Sequence, residues 1–364
     1  RKGFSFARAL AVMAALALAA CSGAPSPTAV PGTATTTIPT GATGTPATTA
    51  SPVATPTVAP TPTPEPTPEP TPTDTADFPV TLTDDRGTDI TLLAKPERIV
   101  SLSPANTEIV FALGEGDTVV GGTDADDYPE GAGAPTDVVV FGVVNAEQIV
   151  DLEPDLVLAA DFTAQDVIDK LRGVDIPVMV INGASVDAVV ADITLVGQAT
   201  GTTDLATQIT VGMLDRIDQV AAAVLDTESR PRVFYEIDAT DAIYGPAEGS
   251  FLADLVEMAG GAAITTGDPA VYSIALEQLL ADDPEIIILG DAIYGTCPEQ
   301  VHDRDAWQHM TAVEDDAIRP VDDTIVTRPG PRLAEGLAAL AVAIHPELEL
   351  VPAPPPVTAC TATR

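Results

Sequence analysis

Basic residues are scarce in this 364-residue chain: 16 Lys and Arg stand against 54 Asp and Glu, a formal charge of −38. Three of those bases (Arg1, Lys2, Arg8) fall in the first ten residues, leaving 13 against 54 in the rest. Such a surface repels phosphate backbones, which excludes nucleic acid as a partner. Histidine is scarcer still, at three. His302 and His309 lie near Asp303 and Asp305, and His345 precedes a proline on the last helix, so no bare zinc or manganese site is expected, because such a site needs several His and acids to converge. The chain has no G-x-x-x-x-G-K, no G-x-S-x-G and no Cys-x-x-Cys. Gly114-Glu115-Gly116 follows a helical pattern rather than a strand, so it is no dinucleotide loop. Without a convergent acid–base pair or a cofactor ligand set, no catalysis and no resident cofactor are expected. The apolar run Ala9–Ala20 has twelve residues, where a membrane-spanning helix needs about twenty.

That run, after a basic start, suits the core of a signal peptide over residues 1–20. Leu18-Ala19-Ala20-Cys21 resembles the lipobox of bacterial lipoproteins, in which the cysteine is lipidated. Several acyl chains on Cys21 would anchor the protein stably to the outer face of the cell membrane. Residues 22–76 hold 14 Pro and 18 Thr and no apolar periodicity, so a disordered tether is expected over 21–76. Its Pro-alternating part, Thr61 to Thr73, would extend roughly 40 Å as polyproline II. Of three cysteines, two remain, Cys297 and Cys360, and an oxidising compartment allows them to pair.

The folded part is expected to be α/β: two Rossmann-like lobes with parallel sheets, joined by a single long helix, with a ligand cleft between the lobes. An N-terminal lobe is expected over 77–203. It opens with a β-hairpin around Asp85-Arg86-Gly87. Ile99, Val100 and Leu102 follow as a short strand, Ser103 to Asn106 as a turn, and Thr107 to Leu113 as a helix. Short strands alternating with helices argue a parallel sheet covered on both faces. Leu205, Ile209, Met213, Ile217, Val220 and Val224 then make one apolar stripe, predicting a linker helix over 204–228 closed before Pro231. The alternation resumes in a C-terminal lobe and tail, 229–364, where "DDTIV" reads as a strand.

One phrase occurs twice. "NAEQIVDLEPDLVL" (Asn145 to Leu158) returns as "ALEQLLADDPEIII" (Ala275 to Ile288). Each reads as a helix cut by a proline and followed by a buried strand. Packing accounts for the aliphatic and proline positions. Glu147 and Glu277, in the first turn of each helix, gain only about 0.3–1 kcal/mol from the helix dipole. These phrases, with "RIVSLSPANTEIVFALG" and "RPGPRLAEGLAALAVAIHPE", resemble the helix-linked substrate-binding proteins of ABC importers for cobalamin and iron–siderophore complexes, over about residues 79–348. The resemblance implies a receptor that hands its ligand to a permease, with Glu147 and Glu277 entering arginine-lined pockets on its two copies. A duplicated charge suits a two-fold partner.

Ligands of open α/β sheets bind beyond the carboxyl ends of the strands. Of 12 aromatics in the folded part, six fall on such loops: Tyr128, Phe141, Phe162, Tyr244, Tyr272 and Tyr294. That placement favours a bulky, partly apolar ligand. Cobalamin binders resembling this chain carry an aromatic at the position of Phe141. Arg328 could pair with carboxylate, catecholate or phosphate, whereas Arg332, opening the last helix, reads as structural. The expected partners are an ABC permease dimer with its ATPase, the membrane through the lipid anchor, and a ferric siderophore or cobalamin that brings its own Fe or Co. The protein itself is expected as a monomer. The alternative is a surface-anchored enzyme, or a haem or metal-binding chaperone, on the same two-lobed fold.

Overall fold

This computed structural model describes residues 78–350 except residue 228. The expected signal segment, Cys21, the tether and Cys360 lie outside the described residues. The chain opens on the expected hairpin, β1 (Val80–Thr83) antiparallel to β2 (Asp89–Leu92). Its turn is drawn in by Asp84, whose carboxylate accepts from the backbone N–H groups of Arg86 at 3.1 Å and Thr88 at 2.8 Å.

The first lobe is a six-stranded sheet of β3 (Ile99–Ser101), β4 (Val119–Thr123), β5 (Asp137–Val140), β6 (Val143–Val144), β7 (Leu156–Ala160) and β8 (Val178–Ile181). Its order is β6-β5-β4-β3-β7-β8, and only the β5–β6 pair is antiparallel. Every residue of β7 and β8 is buried, as strands covered on both faces must be. The helices are α1 (Pro104–Ala112), α2 (Ala146–Asp151), α3 (Gln165–Arg172) and α4 (Val186–Thr200). Helix α1 begins three residues before the expected start. Ser103 is its N-cap, accepting from the Asn106 N–H at 3.3 Å, and Pro104 occupies the first turn, where a missing N–H costs nothing. Helix α4 adds to the expected elements, capped by Ser185, which accepts from the Ala188 N–H at 3.1 Å.

Helix α5 (Thr203–Leu225) joins the lobes. It packs on α4 and on α11 (Leu333–Ile344) of the second lobe. Its buried line is Ala206, Thr210, Met213, Ile217 and Val220; Leu205, Ile209 and Val224 are half-buried at its border. At the α4–α5 crossing a Cβ on Gly197 would stand 2.4 Å from that of Ala206, so the close approach requires glycine. The helix ends at Leu225, six residues short of Pro231.

The second lobe repeats the plan with β9 (Arg232–Glu236), β11 (Ala262–Ala263), β13 (Ile286–Leu289) and β14 (Ile318–Pro320), all parallel, in the order β11-β9-β13-β14. A small antiparallel pair, β10 (Ile243–Tyr244) and β12 (Ser273–Ile274), follows the carboxyl end of β9. The helices are α6 (Phe251–Met258), α7 (Leu276–Asp282), α8 (Pro298–His302), α9 (Thr311–Glu314), α10 (Asp323–Val326) and α11. The expected strand in "DDTIV" is helix α10. Asp322 caps it, accepting from the Thr324 N–H at 2.9 Å and its hydroxyl at 2.7 Å, and a side chain that satisfies a free N–H outweighs the β propensity of Thr, Ile and Val over four residues. The edge strand is β14 instead, ending on Pro320, a residue tolerated where no ladder bond is required. One apolar cluster runs from Ile99 and Leu156 through Met213 and Val220 to Tyr235 and Leu337, so the linker helix is part of the core.

The repeated phrase folds the same way twice. Ile149 and Leu279 are fully buried, Glu147 and Glu277 exposed. Glu153 and Asp283, the residues before the two prolines, both adopt left-handed φ, +48° and +46°. An arginine just before or at the head of the strand that pairs with the unit's own strand, β3 beside β7 and β9 beside β13, stitches each unit. Arg98 donates to the Leu152 carbonyl at 2.6 Å, and Arg232 to those of Asp282 and Asp283 at 3.1 and 2.8 Å, closing carbonyls that the helix ends leave open.

Candidate ligand cleft and docking face

Both sheets place the loops after their carboxyl ends at the junction of the lobes. In each, the first strand has the second on one side and a later one on the other, the arrangement that opens a crevice at the strand ends. The turn between β5 and β6 is Phe141-Gly142, with φ of +49° and +75°. A two-residue turn with both φ positive matches the twist of a hairpin, yet a phenylalanine there is strained. The Asp124 carboxylate accepts its N–H at 3.0 Å, and the ring is 75% exposed. A ring so exposed adds little to the core, so packing does not offset the strain of its backbone.

Loop 124–128 runs from Asp124 to an arginine cluster. Arg328, on the loop before α11, donates through Nη1 to Glu108 Oε1 at 3.0 Å and to Asp127 Oδ1 at 2.5 Å. Arg332 donates through Nε to Glu108 Oε2 at 2.8 Å and through Nη2 to Oε1 at 2.6 Å. Its guanidinium also lies over the Tyr128 ring, 3.9 Å from the centroid. Glu108 is 3% exposed. Burial opposes the charge on Arg328, but its hydrogen bonds to Asp127 and Glu108 outweigh that and raise its pKa. Tyr294 closes the short 3-10 helix Gly290–Tyr294 after β13. It is 58% exposed; desolvation first, then the charge of Asp323 and, less, that of Asp127, raise its pKa, while Arg328 lowers it. Loop 124–128 thus links these groups: Tyr128 lies under Arg332, Asp127 meets Arg328, Tyr294 feels both charges, and Asp124 holds the Phe141 backbone. Phe162 stands after β7 beside Asp161, which Arg86 contacts. Tyr244 and Tyr272 are half-buried on and beside the β10–β12 pair, the Tyr272 carbonyl accepting from Gly245 N–H at 2.8 Å.

The sequence points to the loop Asp124–Tyr128 as part of the cleft but not to the pairing of its Asp127 with Arg328, and it gives no role to Glu108, whose one signal is a charge inside "TEIVFALG". Behind the surface, a buried network supports the second lobe. Glu236 is bound by both Nη atoms of Arg304, Nη2 to Oε1 at 2.7 Å, and Arg304 lies 4.4 Å over the Trp307 ring. Burial first, then the charge of Glu236, push Asp291 up to about 7. Tyr235 donates to Asp323 at 2.8 Å, and Asp323 accepts from Thr327 at 3.0 Å, one residue before Arg328.

Both repeated glutamates are exposed. The Glu147 side chain is 88% exposed, with Lys170 at 3.5 Å. A depression of about 420 Å³ adjoins it, lined by Val143, Val144, Val167 and Lys170. Cys297 is disulfide-bonded, and its expected partner, Cys360, lies outside the described residues. His345 is buried with Nε2 at 3.2 Å from the Gly260 carbonyl, and His302 pairs with Asp316 at 3.1 Å.

Two parallel-sheet lobes on one helix, with aromatics and an arginine at their junction, define a two-lobed receptor for a small molecule. The chain matches the periplasmic binding protein family over residues 99–323 and belongs to it. It is 32% identical over 276 residues to the ABC transporter substrate-binding lipoprotein YvrC of Bacillus subtilis, covering 74% of this chain and 87% of that protein. It is 32% identical over 280 residues to the cobalamin-binding protein of Halobacterium salinarum, covering 74% of each. Among solved structures, a possible iron-binding periplasmic solute-binding protein of Staphylococcus epidermidis superposes with a TM-score of 0.60 at 27% identity, covering 69% of this chain and 100% of that one. The chain is an extracytoplasmic substrate-binding protein that works with an ABC permease, and not an enzyme.

Proposed function

We propose that this protein captures cobalamin, or failing that an iron–siderophore complex, and delivers it to a dimeric permease driven by its ATPase. The surface formed by Phe141, Tyr128, Tyr294 and Arg328 carries the reading: it offers rings to a large apolar body and, to an anionic edge, an arginine now paired with Asp127 and Glu108. The 32% identity to a cobalamin-binding protein favours the corrinoid, and the likeness to the Staphylococcus epidermidis structure supports the iron complex as the second choice. On this reading Phe162, Tyr244 and Tyr272, on loops after the strands, would add further ring contacts to the ligand. No resident cofactor is required, since cobalt or iron arrives in the ligand. Lipidation at Cys21 would hold the protein at the outer face of the membrane on its Pro/Thr-rich tether, and a monomer suffices. The exposed Glu147 and Glu277 would seat one lobe on each permease subunit.

Isothermal titration of the purified protein with cyanocobalamin, haemin and ferric hydroxamate and catecholate siderophores tests this. Cyanocobalamin should bind with a Kd below about 1 μM, some −8 kcal/mol. Silence across the panel overturns the reading.

A further inference from the structure

The cation expected to meet the ligand already has an anion on its open side. Arg328 meets Asp127 through two bonds, Nη1 to Oδ1 at 2.5 Å and Nη2 to Oδ2 at 3.2 Å. This is the fork-on-fork pairing that guanidinium makes with carboxylate and phosphate. Its two acidic partners are unlike. Glu108 is buried on α1 and shared with Arg332. Asp127 is 61% exposed at its side chain and rides on the loop after β4. Tyr128 follows it under Arg332, and Asp124, three residues before, holds the strained Phe141. The carboxylate is therefore the chain neighbour of Tyr128, and its charge reaches Tyr294.

We propose that Asp127 is a built-in stand-in for the ligand's anionic group, occupying the fork of Arg328 until a phosphate or carboxylate on the ligand exchanges with it. The inference rests on the reading of the cleft given above and adds the class of group it selects. Exchange keeps the charges balanced throughout, because Glu108 holds both guanidiniums in place and Arg328 trades one anion for another. No half-buried cation is left unpaired. A loop carboxylate can leave because an exposed ion pair is worth little. A neutral ligand gains nothing from displacing Asp127, whereas an anionic one inherits its bonds. Asp127 thus sets which ligands gain from Arg328, and it lowers the affinity of anionic ones by the strength of the bond they must replace.

Two probe pairs separate the charge from the ring system. Cyanocobalamin carries a phosphodiester that dicyanocobinamide lacks, and haemin carries two carboxylates that its dimethyl ester lacks. Binding of all four to the wild-type protein and to Asp127→Asn is measured by titration calorimetry, with thermal melting as the check on folding. In Asp127→Asn the member carrying the phosphodiester or carboxylates, in whichever pair binds, should tighten about two- to fivefold, and the member without that group should not move. Equal shifts in both members, or no shift in the one carrying that group, overturn the role of Asp127 alone. If the wild type binds none of the four, the ligand class is wrong and the inference falls with it.

Discussion

Arg328 of the second lobe donates to Glu108 of the first at 3.0 Å, across 220 residues of chain. Arg332 meets the same carboxylate with two bonds. One buried acid therefore holds two cations of the other lobe, and the lobe junction depends on its charge.

Glu108→Ala should destabilise the protein by about 3–5 kcal/mol, because it leaves Arg332, a partly buried cation, with no carboxylate partner and Arg328 with Asp127 alone. Urea unfolding measures this. A loss below about 1 kcal/mol would mean that the lobes stay joined by apolar contact alone.

Asp192 gives stability an alkaline slope. It is 1% exposed on α4, and burial first, then hydrogen bonding with Asp85 and its charge, push its carboxyl up to about 9. Between the ordinary value near 4 and about 9 the folded protein keeps a proton that the unfolded chain releases. Stability from this group therefore falls as pH rises through that window, by up to about 1.4 kcal/mol per unit. Below the window both states are protonated and the effect vanishes. Asp192→Asn should flatten the profile and be the more stable variant at pH 8; chemical denaturation at pH 5 and pH 8 decides. An unchanged slope would show that Asp192 ionises in the fold.

Phe141→Gly should leave stability unchanged or raise it by up to about 1 kcal/mol, since glycine accepts φ +49° freely. Its affinity for cyanocobalamin should drop about tenfold or more if the ring packs on the ligand. Equal affinity with improved stability would leave the strain without a purpose.

Glu147→Ala with Glu277→Ala should stop uptake in cells while changing ligand affinity by no more than about twofold, the ordinary range for exposed substitutions. Uptake of labelled cyanocobalamin and titration of the same variant give the two numbers. Normal transport by the double variant would remove the docking role.

Arg98→Ala and Arg232→Ala should each cost about 1 kcal/mol, because each exposes carbonyls at the end of a repeated helix. Thermal melts of the single and double variants should show additive losses, as the two sites lie in different lobes. A null effect for either would leave the proline turn as the only closure of that unit.

Much of this fold could be read locally. The hairpin, the strand–helix alternation and the two copies of one phrase depend on spacings of two to four residues and on caps such as Asn145, whose Oδ1 accepts the Gln148 N–H at 3.1 Å. Helix α10 was misread because four residues carry no period, and Asp322 decided the matter through one side-chain bond. The stitching arginines follow a weak signal, a proline one or two residues before an Arg that heads a strand.

The sequence by itself determined the class: two α/β lobes, the long helix between them, the pair of exposed glutamates and the aromatics on the loops. Each follows from patterns closed within one element, where burial and hydrogen bonding are settled by near neighbours. Only the tertiary structure decided what Arg328 touches. Its partners, Glu108 and Asp127, lie 220 and 201 residues away, and an ion pair leaves no periodic trace in the chain, because it needs two side chains to arrive together and nothing of the residues between them.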